Sequence, residues 1–179
     1  MLDRLLIEHC APTLAGLKTA NLLRCNAGAA LRKQVARWDA LLGTKGVHVE
    51  VLREQDGSAL VYVYREKQLK ADLAQEDVRA FLRHFGYCGG VELCLARLRE
   101  RLGQAAFPHE VGVFLGYPLG DVIGFMQHGG KNAKCTGCWK VYCDQCAAQR
   151  QFARLKKCKE VYVRQFQKGT SVMKLTVGV

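Results

Sequence analysis

The stretch VHVEVLREQDGSALVYVYR, residues 47 to 65, carries the clearest structural signal in the chain. Its two halves, 47–53 and 59–65, alternate apolar and polar side chains, the two-residue period of a half-buried strand. Gln55-Asp56-Gly57 stands between them. Asp-Gly supplies the positive φ that a tight turn demands, so the stretch predicts a β-hairpin.

Working outward, the flanks read as helices. Residues 28–42 place Leu31, Val35, Trp38 and Leu42 on one apolar face, with Gly43 as the stop. Residues 12–23, PTLAGLKTANLL, predict a helix with Pro12 in its first turn. Downstream, 66–85 reads as helical, with Asp72 and Gln75 as a capping box ahead of Val78, Phe81, Leu82 and Phe85, and Gly86 as its end. Residues 91–102 form another amphipathic helix before Gly103, and 108–128 reads as two short helices broken at Gly116-Tyr117-Pro118. Residues 139–142 read as a short strand, and a long helix over 144–168 is closed by Gly169. The expected class is α+β: a small antiparallel sheet, made of hairpin 47–65 plus the short strand 139–142, covered by several helices in a single domain, 1–179.

The totals agree with a globular chain. The hydrophobic fraction is 49% and the charged fraction 24%. No apolar run of membrane-spanning length occurs, and MLDRLLIEHC is too acidic and too soon interrupted for a signal peptide, so the expectation is a cytoplasmic protein without membrane contact. The formal net charge of +11 favours an anionic partner: an acidic protein, a phosphorylated small molecule or nucleic acid. No long run of like charge marks a basic tail.

Nine cysteines are present, an odd number. In a chain without secretion signals, closely paired cysteines point to metal or redox work more than to a disulfide framework. Cys25, Cys88 and Cys94 have no CxxC partner and read as small buried hydrophobes. CTGCWKVYCDQC, residues 135–146, holds two CxxC pairs. One zinc ion or iron–sulfur cluster bound by all four thiolates is the simplest idea. The spacer Trp139-Lys140-Val141-Tyr142 opposes it, because its residues favour a strand. An extended 138–143 would span roughly 16 Å at about 3.3 Å per residue, too far for one ion. Alternatively the pairs act separately. Cys143 and Cys146 open a helix, where the dipole lowers a thiol pKa and supports redox chemistry, although Asp144 opposes that. Cys135 and Cys138 then join Cys158 or Cys10 at a metal, or all of these thiols are structural.

Three further constellations carry possible chemistry. His9-Cys10 precedes the helix expected at Pro12, so the dipole could activate Cys10 with His9 or His109 as base; a buried Cys10 beside a surface His9 is the competing reading. Residues 108–128 have the apolar spacing of a helix-turn-helix. Its second helix offers Gly120, Asp121, Gly124 and Gln127 as exposed positions, a poor set for reading bases, so helix packing without DNA is the better reading. His109 is a candidate base or ligand, but Val113 stands where a zinc-protease motif needs its second His. Lys131 and Lys134 are candidate anion-binding residues or simply a solvated loop.

EHCAPTLAGLKTANLL (8–23), FPHEVGVFLGYPLGDVIGF (107–125), GKNAKCTGCWKVY (130–142), FARLKKC (152–158) and SVMKLTV (171–177) together resemble a bacterial family catalogued as domain of unknown function 3793, found largely in anaerobes. The resemblance spans the chain end to end and implies no activity, so it carries over no functional residue. It does match Cys10, Cys135, Cys138 and Cys158, and it does not extend to Cys143 and Cys146. A metal site drawn from the first four is therefore the leading expectation, with zinc or an iron–sulfur cluster as cofactor and a redox or metal-handling role. A thiol oxidoreductase or thiol-nucleophile enzyme using Cys143/Cys146 or Cys10, and a nucleic-acid-binding or adaptor protein using 108–131, are the alternatives.

Overall fold

The computed structural model describes residues 2–178. The hairpin forms as its sequence demands. Strands β2 (Val47–Gln55) and β3 (Ser58–Arg65) pair antiparallel across Asp56 and Gly57, whose φ values are 49° and 72°. Two consecutive positive φ values give the turn whose twist matches that of the strands. A shift in register between Val51 and Arg53 makes Leu52 a bulge.

The α+β class stands, but the third strand of this sheet is not 139–142. It is β1 (Ala20–Asn26), paired antiparallel with β3 in the order β1-β3-β2. The helix expected over 12–23 is accordingly corrected. Helix α1 covers Leu2–Leu14, and Pro12 lies in its last turn. The helix starts early because Leu2, Leu6, Ile7, Cys10, Ala11 and Leu14 form one buried stripe. It stops because Gly16 enters the left-handed region at φ 75°. There Gly16 N–H donates to the Thr13 carbonyl at 3.1 Å and Leu17 N–H to the Pro12 carbonyl at 2.9 Å, a paired C-terminal cap. Beyond the cap, pairing with β3 overrides the local pattern of NLLRCN.

The chain divides into two compact units: residues up to Lys70 with those from Cys158 onward, and residues 71–157. In the first, α1 and α2 (Ala29–Gly43) pack against one face of the three-stranded sheet. Leu6, Leu14, Trp38, Leu42, Val49 and Val63 belong to this core. The other face carries Tyr62 and Tyr64, both buried, with ring centroids stacked 4.9 Å apart. The Arg65 guanidinium donates to the Thr13, Leu14 and Val177 carbonyls, and Lys45 Nζ donates to the Met173 and Thr176 carbonyls. These bonds tie down the segment after residue 170.

The helix expected over 66–85 is two helices, α3 (Glu66–Ala74) and α4 (Glu76–Arg83), separated by Gln75 in an extended conformation at φ −61°, ψ 136°. The expected capping box does not form as read, since Asp72 lies within α3 and Gln75 is itself the N-cap of α4, without a side-chain cap bond. In the second unit α4 is followed by α5 (Val91–Leu102), the four-residue α6 (Val111–Phe114) and α7 (Leu119–Gln127). Gly129 and Gly130, at φ 55° and 74°, end α7 and redirect the chain. Strands β4 (Cys135–Thr136) and β5 (Lys140–Val141) then form their own two-stranded sheet, pairing Cys135 with Val141 and Thr136 with Lys140. Helix α8 (Gln145–Gln167) starts in this unit, and α9 (Val172–Leu175) closes the described chain.

Candidate functional site

Asp121 organises the second unit. It lies on α7 and is 3% exposed. Its Oδ1 accepts the backbone N–H groups of Tyr142 (2.8 Å) and Cys143 (2.9 Å), and its Oδ2 accepts the Trp139 indole N–H (2.8 Å). A buried carboxylate must be satisfied by donors, and three neutral N–H groups do so here. They clamp the β4–β5 hairpin and the start of α8 onto α7. The clamp needs close approach. A Cβ on Gly124 would lie 2.5 Å from Tyr142 Cγ, and one on Gly120 2.5 Å from Cys143 Sγ.

This arrangement corrects the helix-turn-helix geometry considered above. Asp121 and Gly124, expected on an exposed face, are buried, because Tyr142 lies over Gly124 and Asp121 is the hairpin's anchor. Gly120 and Gln127 are exposed as expected. The α6–α7 contact itself is tight, since a Cβ on Gly112 would sit 2.8 Å from Val122 Cγ2.

Beside the clamp lies a cleft of about 280 Å³. Its walls are aromatic: Tyr117 and Trp139 stack with centroids 5.0 Å apart, and Phe125 faces His109 at 5.0 Å. Phe152 supports Trp139 edge-on at 4.6 Å. Thr136 and Lys140 from the hairpin also line it. Lys140 Nζ stands 6.0 Å above the Phe125 ring and donates to the Gly130 carbonyl at 2.5 Å. The Tyr117 hydroxyl donates to the Cys138 carbonyl, and burial pushes its pKa to about 12, with Cys138 adding to the shift. Next to His109 the fully buried Glu110 accepts from Tyr87 Oη (3.1 Å) and Arg101 Nε (2.8 Å) through Oε1 alone; Oε2 has no partner among the described residues.

The residues singled out from sequence are distributed as follows. His109 lies in the cleft wall. Cys135 is half-buried in β4, Cys138 is exposed at the hairpin turn, and Cys143 and Cys146 are exposed at the start of α8. Partial burial raises the Cys143 thiol pKa, Asp121 raises it further by charge and hydrogen bonding, and Lys134 opposes them. Lys131 is exposed, while Lys134 Nζ is engaged with the Cys143 carbonyl at 2.6 Å. In the first unit, Cys10 points into the core from the body of α1, not from a helix start, and burial pushes its pKa to about 12. His9 beside it is exposed, and Cys158 is half-buried on α8. Among the described residues, no group of three or more His, Cys, Asp and Glu side chains is gathered to hold a metal ion.

The sequence reading missed Asp121, Trp139, Lys140, Phe125 and Glu110 as site residues. The available signal was a concentration of aromatic residues and a lone charged residue, Asp121, on a mostly apolar α7, both of which read equally well as core.

Fold and cleft together define a small α+β protein with an aromatic-walled cleft beside a cysteine-bearing hairpin. The chain belongs to the family described as protein of unknown function (DUF3793), whose pattern matches residues 6–176. No curated protein and no solved structure matches it. Among the described residues no helix is long and apolar enough to cross a membrane.

Proposed function

We propose that this protein binds a small, flat organic molecule in the cleft between α7 and the β4–β5 hairpin. The observation that carries the reading is the enclosure of one concave space by Tyr117, Trp139, Phe125 and His109, with Lys140 and Thr136 as polar handles. Ligand sites are typically concave, mostly apolar, and supplied with a few convergent polar groups. The Asp121 clamp holds the indole in place before any ligand arrives, which lowers the ordering cost of binding. All nine cysteines are unbridged, which agrees with a reducing cytoplasm.

The test uses the two tryptophans, Trp38 in the first unit and Trp139 in the cleft. Protein labelled with 5-fluorotryptophan gives two fluorine resonances, assigned through Trp139→Phe. A panel of aromatic acids, amides and amines at millimolar concentration is expected to move the Trp139 signal and leave Trp38 in place. If no member moves Trp139, the cleft is packing and not a site.

A second reading keeps zinc or an iron–sulfur cluster on thiolates, with a redox or metal-handling role. It is supported by the placement of Cys135 and Cys138 on a strand and the adjoining tight turn, the kind of position from which one CxxC pair reaches a metal. Cys158 and Cys10 are its completing ligands, and the complete burial of Cys10 works against that residue as a thiolate. Anaerobic purification followed by elemental analysis decides it: about one metal equivalent per chain, lost in Cys135→Ser, supports the site, and metal-free protein that also resists reconstitution removes it. The thiol-enzyme alternative is weakened by the raised pKa of Cys143. Nucleic-acid binding through 108–131 is weakened by the burial of Asp121 and Gly124.

A further inference from the structure

We propose that the molecule bound in this cleft is an aromatic carboxylate of one or two rings; the proposal rests on the reading of the cleft as a ligand site. Three observations select that class. The first is the shape and chemistry of the walls. Tyr117 and Trp139, which stack on one another, line the cleft together with Phe125, and this rigid aromatic lining suits a planar ring better than a flexible chain.

The second is size. A volume of about 280 Å³ lies just under the range, about 300–1,000 Å³, of clefts that enclose drug-sized ligands. That space suits one ring or two fused rings and is small for a nucleotide.

The third is the sign of the polar handles. Asp121 lines the cleft, but its oxygens already accept three N–H groups. Those bonds engage both of its oxygens with the hairpin and the entry to α8. Lys140 is in the opposite situation. Its ammonium bonds one carbonyl, that of Gly130, and no carboxylate of the described residues lies within ion-pair distance of it. An ammonium carries three donors, so two stay open. A ligand carboxylate would complete this cation with charge-assisted hydrogen bonds, which are about twice as strong as neutral ones. Thr136 and His109 are further hydrogen-bonding groups in the same wall. The chain's formal net charge of +11 draws anions toward the protein in general, and Lys140 supplies the local reason for one to stay.

The experiment compares acids with their neutral isosteres by isothermal titration calorimetry: benzoate against benzamide, and 2-naphthoate against 2-naphthamide. Each is titrated into the unaltered protein and into Lys140→Met and Lys140→Arg. The expected result is an acid bound about tenfold or more tightly than its amide, a preference that collapses in Lys140→Met and persists in Lys140→Arg. Acid and amide binding equally well would overturn the carboxylate assignment while leaving the cleft as a ligand site. Binding of amines in preference to both would do the same. Failure of all these probes, with the Trp139 fluorine signal also unmoved by the wider panel, would overturn the cleft reading itself. The acid-to-amide ratio in the unaltered protein decides the matter even where Lys140→Met does not fold.

Discussion

The Asp121 carboxylate holds the Trp139 indole N–H at 2.8 Å with one oxygen and two successive backbone N–H groups, those of Tyr142 and Cys143, with the other. One side chain therefore sets both the cleft wall and the entry to α8. Asp121→Ala would orphan three partly buried donors and is expected to cost about 3 kcal/mol. Urea denaturation measures the loss. A second readout separates clamp from general packing: the Trp139 fluorine resonance should broaden or shift toward its solvent-exposed position at urea concentrations where Trp38 is unchanged. A cost below about 0.5 kcal/mol, within the range of ordinary surface changes, would show that the clamp is dispensable.

Two glycine-to-alanine changes on helices are expected to have opposite signs. Alanine is the better helix former by about 1 kcal/mol. At Gly43, the last residue of α2, a new Cβ meets only His48 Cε1, at 3.8 Å, so Gly43→Ala should stabilise by about 0.5 kcal/mol. At Gly124 the Cβ would lie 2.5 Å from Tyr142 Cγ and 2.6 Å from its Cβ, atoms near the backbone that cannot swing aside. Overpacking then outweighs propensity, and Gly124→Ala should destabilise by about 1–3 kcal/mol. Thermal denaturation of both variants checks the pair; stabilisation by both would mean that the hairpin yields easily, and destabilisation by both would overturn the reading of Gly43.

These cases also show what could be read from the residues and what could not. The hairpin over 47–65 was legible because Asp56-Gly57 is a local, backbone-level instruction, and α2 because its apolar face repeats without interruption. Strand β1 was not, because NLLRCN becomes a strand only through its partner β3, some 40 residues away in the register Ala20–Tyr64. Pro12 misled because the same fixed φ suits a first helical turn, and only the buried stripe from Leu2 onward places it at the other end. Asp121 read as an exposed, phosphate-repelling residue because its burial is created by the β4–β5 hairpin folding back over α7. The cleft depends on that same return of the chain, so its lining could not be assembled from spacing alone.

Cys143 gives a direct chemical check on the electrostatics beside Asp121. Its thiol is held above the ordinary range by partial burial and then by the Asp121 carboxylate. Since the thiolate is the reactive form, Asp121→Asn should speed alkylation of Cys143 by iodoacetamide at neutral pH. Peptide mass spectrometry resolves each of the nine cysteines, and Cys10 should stay unmodified in the folded protein. An unchanged rate at Cys143 in a folded Asp121→Asn variant would remove the proposed influence.

Cys10 makes stability depend on pH in a defined direction. Burial raises its thiol from 9.0 to about 12, so between those values the unfolded chain has lost a proton that the folded chain keeps. Stability rises with pH only where the unfolded state binds more protons; here it binds fewer, so stability falls as pH rises. The contribution is complete below pH 9 and is lost progressively as pH rises from there toward 12. Cys10→Ala removes this titration along with some packing. Urea midpoints at pH 8, 9 and 10 should therefore fall less steeply for Cys10→Ala than for the unaltered protein. Parallel slopes would mean that the thiol ionises as readily folded as unfolded and would overturn the burial effect expected from its place in the α1 core.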